Sequence, residues 1–338
     1  MIRALFYAKE TDTIINLNKK ENETSFEWKL RCCKAKLNHQ TNLDWQEIAD
    51  LLGLEVSADH LRKTAYGLIE YDNYIHNDGV STRILSVSDF HVPFNLEITP
   101  LQSYADRVDI LIFNGDIEDC FSCSSYTRKY RIGLDSEMVE TRKLMMQVID
   151  MIHPKQVFVN MGNHEYRLSR HLCERLNEDI ISIMPDSPLE LIVNHGFRVK
   201  DRINKTETWY DPLSEVYRYK GIEVLYDGSW YCKVGKTIFA HPLSYTSGML
   251  KTTEKAVEYF LRTDRDFDTV VLGHTHRIGS YVQGNIHMYE QGCMCDLSKL
   301  DYANGKLIIP SQNGFIYVCQ DENGKIMENR TQLVSLAS

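Results

Sequence analysis

Short apolar runs that end on polar residues recur along most of this chain. Ile84 to Val87, Val108 to Phe113, Gln156 to Asn160, Thr237 to Ala240 and Thr269 to Leu272 are each four to six residues long and rich in branched side chains. Runs of that length read as strands buried on both faces. Between the second and third, Asp135 to His153 has helical spacing and stops at Pro154, the crossover expected between parallel strands. Thr252 to Arg262 predicts another helix. The alternation predicts an α/β fold whose chemistry sits at the carboxyl ends of the strands. Phe197 to Val234 is aromatic-rich and less periodic, which predicts loops and extra strands near that site. No internal repeat or low-complexity tract interrupts the pattern.

The first 76 residues follow a different rule. Residues 9 to 24 are polar and predict an extended lead. Ser25 onward predicts a helix carrying Lys29, Arg31, Lys34 and Lys36. Asp44-Trp45-Gln46-Glu47 has the spacing of a capping box and opens a short helix with Trp45, Ile48, Ala49 and Leu52 on one face. Gly53 breaks it, and Ser57 caps a further helix running to Gly67 with Leu61 and Ala65 inward. Two short helices around a glycine resemble a helix-turn-helix unit, with Arg62, Lys63 and Tyr66 on the exposed side. An ordinary three-helix packing or oligomerisation module fits the same pattern. The division expected is a small helical domain over 1–76 and a catalytic domain over 77–338.

Composition narrows the partners. The 338 residues are 43% hydrophobic and carry a net charge of −9, so nucleic acid would have to be held locally, against the overall field. Residues 1–76 hold ten Lys and Arg against twelve Asp and Glu, a net of −2. The amino terminus has too short an apolar run for a signal peptide and no stretch approaches a membrane span, so a cytoplasmic chain is expected, in a cell or a virus-infected cell. Nine cysteines in a reducing compartment default to free thiols. Cys120 with Cys123 and Cys293 with Cys295 could make a thiolate zinc site, but neither pair has a knuckle glycine or a matching third element.

Five polar runs follow the apolar ones: Ser88-Asp89-Phe90-His91, Gly115-Asp116-Ile117-Glu118-Asp119, Gly162-Asn163-His164-Glu165, Ala240-His241-Pro242 and Gly273-His274-Thr275-His276. They supply two carboxylates, an amide and four imidazoles, with His164 and Asp119 to spare. Two adjacent hard or borderline divalent cations require such a set. Asp89 and His91, two apart, are expected to share one side of an extended strand end. Gly115, Gly162 and Gly273 are expected where the backbone turns tightly. Any one of these histidines alone would default to a structural role; their joint placement at strand ends reverses that.

In order and spacing the five runs resemble the D-x-H, GD-x-x-D, GNH-[DE], H and GH-x-H signature of the calcineurin-like metallophosphoesterases, over roughly residues 83 to 320. The resemblance implies a four-layer α/β/β/α sandwich and two bound cations. Asp89, His91 and His276 would hold one, Asn163, His241 and His274 the other, and Asp116 would bridge them. A shared hydroxide would attack phosphorus, with His164 as general acid and Asp119 orienting it. Cys120 stands where an arginine often follows in the phosphatase branch, which puts a protein-phosphatase substrate in doubt. The donor types suit Mn²⁺ best, Fe²⁺ and Zn²⁺ also, and Mg²⁺ less.

Asp301-Tyr302-Ala303-Asn304-Gly305, Ser311 to Tyr317 and Gly162 to Leu168 also resemble bacteriophage-encoded members of that family. The reading favoured is a phosphodiesterase acting on nucleic acid, with DNA as partner. A small-molecule phosphoesterase acting on nucleotides, cyclic nucleotides or phosphomonoesters is the alternative, and a non-enzymatic DNA-binding or assembly protein a third. Arg128, Lys129, Arg131, Arg167, Arg170 and Arg277 follow the motif loops and are candidates to meet phosphate. Tyr126 and Tyr166 are candidates to stack on a base.

Overall fold

The computed structural model describes residues 17–20, 23–37, 40–76, 79–124, 132–201, 203–248, 250–299 and 310–336. The chain divides into two compact units, Met1–Gly79 and Val80–Ser338. In the first, helices α1 (Ser25–Leu37), α2 (Trp45–Leu51) and α3 (Ala58–His76) close on Cys32, Cys33, Ala35, Ile48, Ala49, Leu61 and Ala65. The expected capping box is present. The Asp44 carboxylate accepts from the Gln46 and Glu47 backbone N–H groups at 2.8 Å, and Glu47 accepts from the Asp44 N–H at 2.7 Å. Gly53 turns the chain at φ +65°. α3 continues past Gly67, because one helical glycine costs only about 1 kcal/mol against the burial of Leu61 and Ala65.

The second unit contains, in order, β1 (Thr82–Val87), β2 (Ile110–Asn114), α4 (Leu134–Ile152), β3 (Gln156–Asn160), α5 (Tyr166–Cys173), α6 (Glu178–Ile181), α7 (Pro188–Glu190), β4 (Phe197–Asp201), β5 (Thr206–Tyr210), α8 (Leu213–Arg218), β6 (Glu223–Leu225), β7 (Tyr231–Val234), β8 (Thr237–Ala240), α9 (Lys251–Thr263), β9 (Thr269–Leu272), β10 (Ile278–Gln283), β11 (Ile286–Gln291), β12 (Gly314–Gln320) and β13 (Gln332–Ser335). Among the described residues these form a six-stranded sheet, β13-β12-β1-β2-β3-β6, a five-stranded sheet, β10-β11-β9-β8-β7, and the hairpin β4-β5. The aromatic-rich stretch makes strands as well as loops, as its pattern predicts. It supplies an edge strand to each large sheet, and α8 packs beside β6.

Side-chain alternation builds the four layers. Ile84, Ile112, Phe239 and Val271 meet between the sheets. Their neighbours Leu85 and Leu111 face Met145, Val148, Ile149 and Ile152 of α4. Ile238, Val270 and Leu272 face Ala256, Val257 and Phe260 of α9. Each such fully buried aliphatic chain contributes roughly 1.5–3 kcal/mol. β1, β2 and β3 are mutually parallel, and so are β8 and β9. Their carboxyl ends carry the five polar runs.

Candidate metal centre

The polar runs of both sheets converge. His276 Nε2 lies 3.0 Å from Asp89 Oδ1 and 3.1 Å from His91 Nε2. His241 Nε2 lies 3.3 Å from Asp116 Oδ2, its ring held by Nδ1, which donates to the Asn114 carbonyl oxygen at 2.7 Å. Asp116, His241 and His274 have ligand atoms within 4.8 Å of one another. Asn163 Oδ1 and His274 Nε2 are buried and make no hydrogen bond. Buried polar atoms are normally satisfied. Unpartnered donor atoms beside clustered carboxylates and imidazoles fit metal ligands.

Charge points the same way. Burial alone would raise the Asp89 and Asp116 carboxyls, but the surrounding imidazoles outweigh it and hold both below the usual range. Against burial, Asp116 and Asp89 push His241 up to about 10, and Asp89 pushes His276 up to about 9. Burial, then His164, brings His91 down to about 4; burial, then His241, brings His274 down to about 3. Two protonated imidazoles thus stand against two carboxylates, and cations entering there displace protons.

The backbone is strained where these donors emerge. Asp89, His91, Asp116, His274 and His276 all have left-handed φ, between +49° and +73°. Such conformations cost of order 1–3 kcal/mol each and cluster at functional sites. This corrects the expectation that Asp89 and His91 continue an extended strand: β1 ends at Val87, and both residues are reversed in φ to bring them inward. The glycines also differ from expectation. Gly115 does take φ +80°, but Gly162 and Gly273 serve close approach, since a Cβ on Gly273 would lie 2.8 Å from His241 Nδ1. A Cβ on Gly162 would collide with the backbone nitrogen and Oδ1 of Asp116.

His164 sits beside this cluster. Its Nδ1 is 2.9 Å from Asp119 Oδ1, and a carboxylate there can only accept, so Nδ1 carries the proton. Its Nε2 faces Arg167 Nη2 at 2.8 Å, and Arg167 Nη1 donates to the Asp119 carbonyl oxygen at 2.8 Å.

Residues 82–278 match the family model of the calcineurin-like phosphoesterases. The chain belongs to that family. This phosphoesterase is also similar to solved structures. Vacuolar protein sorting 29 from Cryptosporidium parvum matches at 12% identity over 77% of this chain and 100% of that one, with a TM-score of 0.37. Wild-type Vps29 complexed with Zn²⁺ from Entamoeba histolytica matches at 11% identity over 75% and 98%, TM-score 0.34. A novel archaeal phosphodiesterase matches at 14% identity over 75% and 99%, TM-score 0.32. No curated protein matches. The protein is a metal-dependent phosphoesterase, and among its described residues no helix is long and apolar enough to cross a membrane.

Other sequence candidates fall elsewhere. Tyr126, Arg128, Lys129, Arg131 and the segment from Asp301 to Gly305 lie outside the described residues. Arg277 is buried and donates to the carbonyl oxygens of Ser247 and Gly248 at 3.0 and 2.9 Å, which commits it to holding that loop. Tyr166 and Arg170 are exposed on α5. In the first unit Arg62, Lys63 and Tyr66 are exposed, but Arg62 and Lys63 both pair with Asp59, at 3.0 and 2.6 Å. All nine cysteines are free, and among the described residues no ligand cluster joins Cys120 or Cys123 to the Cys293 pair.

Two residues escaped the sequence reading, and a third was weighed with other partners. Glu165, treated only as part of a motif, accepts from the backbone N–H groups of Asp116, Ile117, Glu118 and Gly162 at 2.7 to 3.1 Å. One carboxylate thereby locks two motif loops together. Tyr245 is exposed with its ring 5.5 Å from that of His274. Cys295, weighed from the sequence only in a thiolate site with Cys120, Cys123 and Cys293, lies instead with His91 and His276 in a cluster of ligand atoms. Only the fourth position of the GNH-[DE] run offered a signal in advance.

Proposed function

We propose that this phosphoesterase hydrolyses phosphodiester bonds in nucleic acid through a pair of divalent cations. Asp89, His91, Asp116 and His276 would hold one cation, and Asp116, Asn163, His241 and His274 the other. The observation that carries the assignment is the clustering of ligand atoms, those of Asp116, His241 and His274 within 4.8 Å of one another and Asp89 Oδ1 3.0 Å from His276 Nε2. When bound, the cations supply an activated water and neutralise charge on the phosphate. His164 is the proposed general acid for the leaving oxygen. Asp119 orients it and fixes its tautomer, while Arg167 covers the nitrogen that must donate. An arriving phosphate offers a guanidinium a better partner than an imidazole does, so substrate would draw Arg167 away and leave Nε2 open to take from solvent the proton it then gives to the leaving oxygen. Arg167 is thus proposed to meet phosphate. Tyr245 and Tyr166, both exposed, suit base stacking.

A small-molecule phosphoesterase is the second reading, favoured by the net charge of −9 and by the engagement of Arg62 and Lys63 with Asp59. The test is a metal-reconstituted assay comparing single- and double-stranded DNA, RNA, cyclic nucleotides and chromogenic phosphodiester and phosphomonoester substrates. Cleavage of DNA or RNA faster than of the small esters supports the nuclease. Turnover of small esters alone removes it.

A further inference from the structure

The D-x-H and GH-x-H runs contain no sulfur, yet a thiol reaches the same space from another strand. β11 pairs in parallel with β9, so its carboxyl end rises beside the turn that carries His274 and His276. The chain then runs Gly292-Cys293-Met294-Cys295. The Met294 N–H donates to the carbonyl oxygens of Ser88 and Asp89 at 3.1 and 3.2 Å. Asn313 Nδ2 donates to the Cys295 carbonyl oxygen at 2.7 Å. These bonds pin Cys295 against the Asp89–His91 turn, and the residue is fully buried. Its Sγ, one ring nitrogen of His91 and one of His276 all lie within 4.8 Å of one another. Asp89 Oδ1, buried, lies 3.0 Å from His276 Nε2 and 3.9 Å from His91 Nε2. Two imidazoles, a carboxylate oxygen and a thiol at these separations suit a common ion with bonds of about 2.0–2.3 Å. The neighbouring Cys293 belongs to none of these clusters, and its thiol donates to the Gln312 carbonyl oxygen at 3.3 Å.

We propose that Cys295 is a thiolate ligand of the cation held by Asp89, His91 and His276, which makes that position selective for zinc or ferrous iron over manganese or magnesium. The proposal rests on the two-cation reading above and goes beyond it. On coordination the S–H proton passes to solvent and a sulfur–metal bond forms. Sulfur favours the softer ions, whereas the second position, with an amide oxygen, two imidazoles and the shared carboxylate, lacks that preference. The two positions should therefore differ in metal.

The experiment is a Co²⁺ titration of the reduced, full-length protein followed in the near ultraviolet, where thiolate-to-cobalt charge transfer absorbs. The expected result is a band that saturates with one of two bound ions, persists in Cys293→Ser and is lost in Cys295→Ser. Zn²⁺ affinity of Cys295→Ser should fall by at least ~10-fold, the lower end of what an outer partner costs, with Mn²⁺ affinity changed less. X-ray absorption of the Zn²⁺-loaded wild-type protein should show a sulfur at about 2.3 Å, a readout that stands even if the serine variant folds badly. Two Co²⁺ bound without a band, a band that survives in Cys295→Ser, or a zinc shell of nitrogen and oxygen alone would overturn the proposal and leave the two-cation reading intact. Failure to bind any divalent ion would sink both.

Discussion

His164 and Asp116 lie 3.8 Å apart across the centre and should respond to mutation in opposite ways. His164→Ala is expected to lose turnover by roughly 10²–10⁴-fold, the usual worth of a general acid, while retaining both ions by metal analysis. Asp116→Ala should lose the ions themselves. An emptied site in His164→Ala would show that the imidazole is a ligand. Gly162→Ala tests the packing behind them, since its new Cβ would also lie 2.8 Å from Glu165 Oε2. Overpacking of about 1–3 kcal/mol is expected, read by denaturant unfolding, together with weakened metal uptake. The donors themselves were legible in the sequence because each follows an apolar run directly. Their backbone was not: strand periodicity extended past Val87 leads Asp89 and His91 the wrong way, whereas their N–H groups bond to the carbonyl oxygens of Gly115 and Asp116 beyond β2, a pairing no local pattern shows. The bonds from Arg277 to the Ser247 and Gly248 carbonyl oxygens were equally hidden, since nothing local tells of them.

At the level of elements, β3, β8 and β9 have the bounds their apolar runs predict, and α4 ends where Pro154 requires. What could not be read was pairing. The approach of Cys295 to His276 depends on β11 lying parallel to β9, a choice made by packing and not by either segment alone. α4 carries a testable charge. Burial pushes the Glu137 carboxyl up to about 8, against the Phe121 N–H that favours the ionised form. The folded chain keeps this proton from about pH 4.5 to about 8 while the unfolded chain has released it, so Glu137's contribution to stability is greatest at low pH and declines across that window. Glu137→Gln stays neutral. The thermal midpoint of the variant relative to wild type should therefore climb as pH rises from about 5 to about 8; a constant difference would contradict a buried, protonated Glu137.

For the molecule as a whole, the question is what the helical unit adds. Under the nuclease reading, deleting residues 1–76 should weaken cleavage of long DNA, spare hydrolysis of a small chromogenic ester, and make any remaining DNA affinity less steep in salt. Equal rates on long DNA with and without the unit would leave it a packing module. The centre itself draws its donors from β1, β2 and β3 of one sheet and from β8 and β9 of the other. Ions bound there stabilise the folded chain by mass action, so chelation should lower the unfolding midpoint as well as stop turnover. No contiguous stretch of sequence holds the full set, and a chain in which either sheet has formed wrongly cannot hold the pair. Metal content after refolding then serves as a census, counting the molecules in which both sheets have found their places.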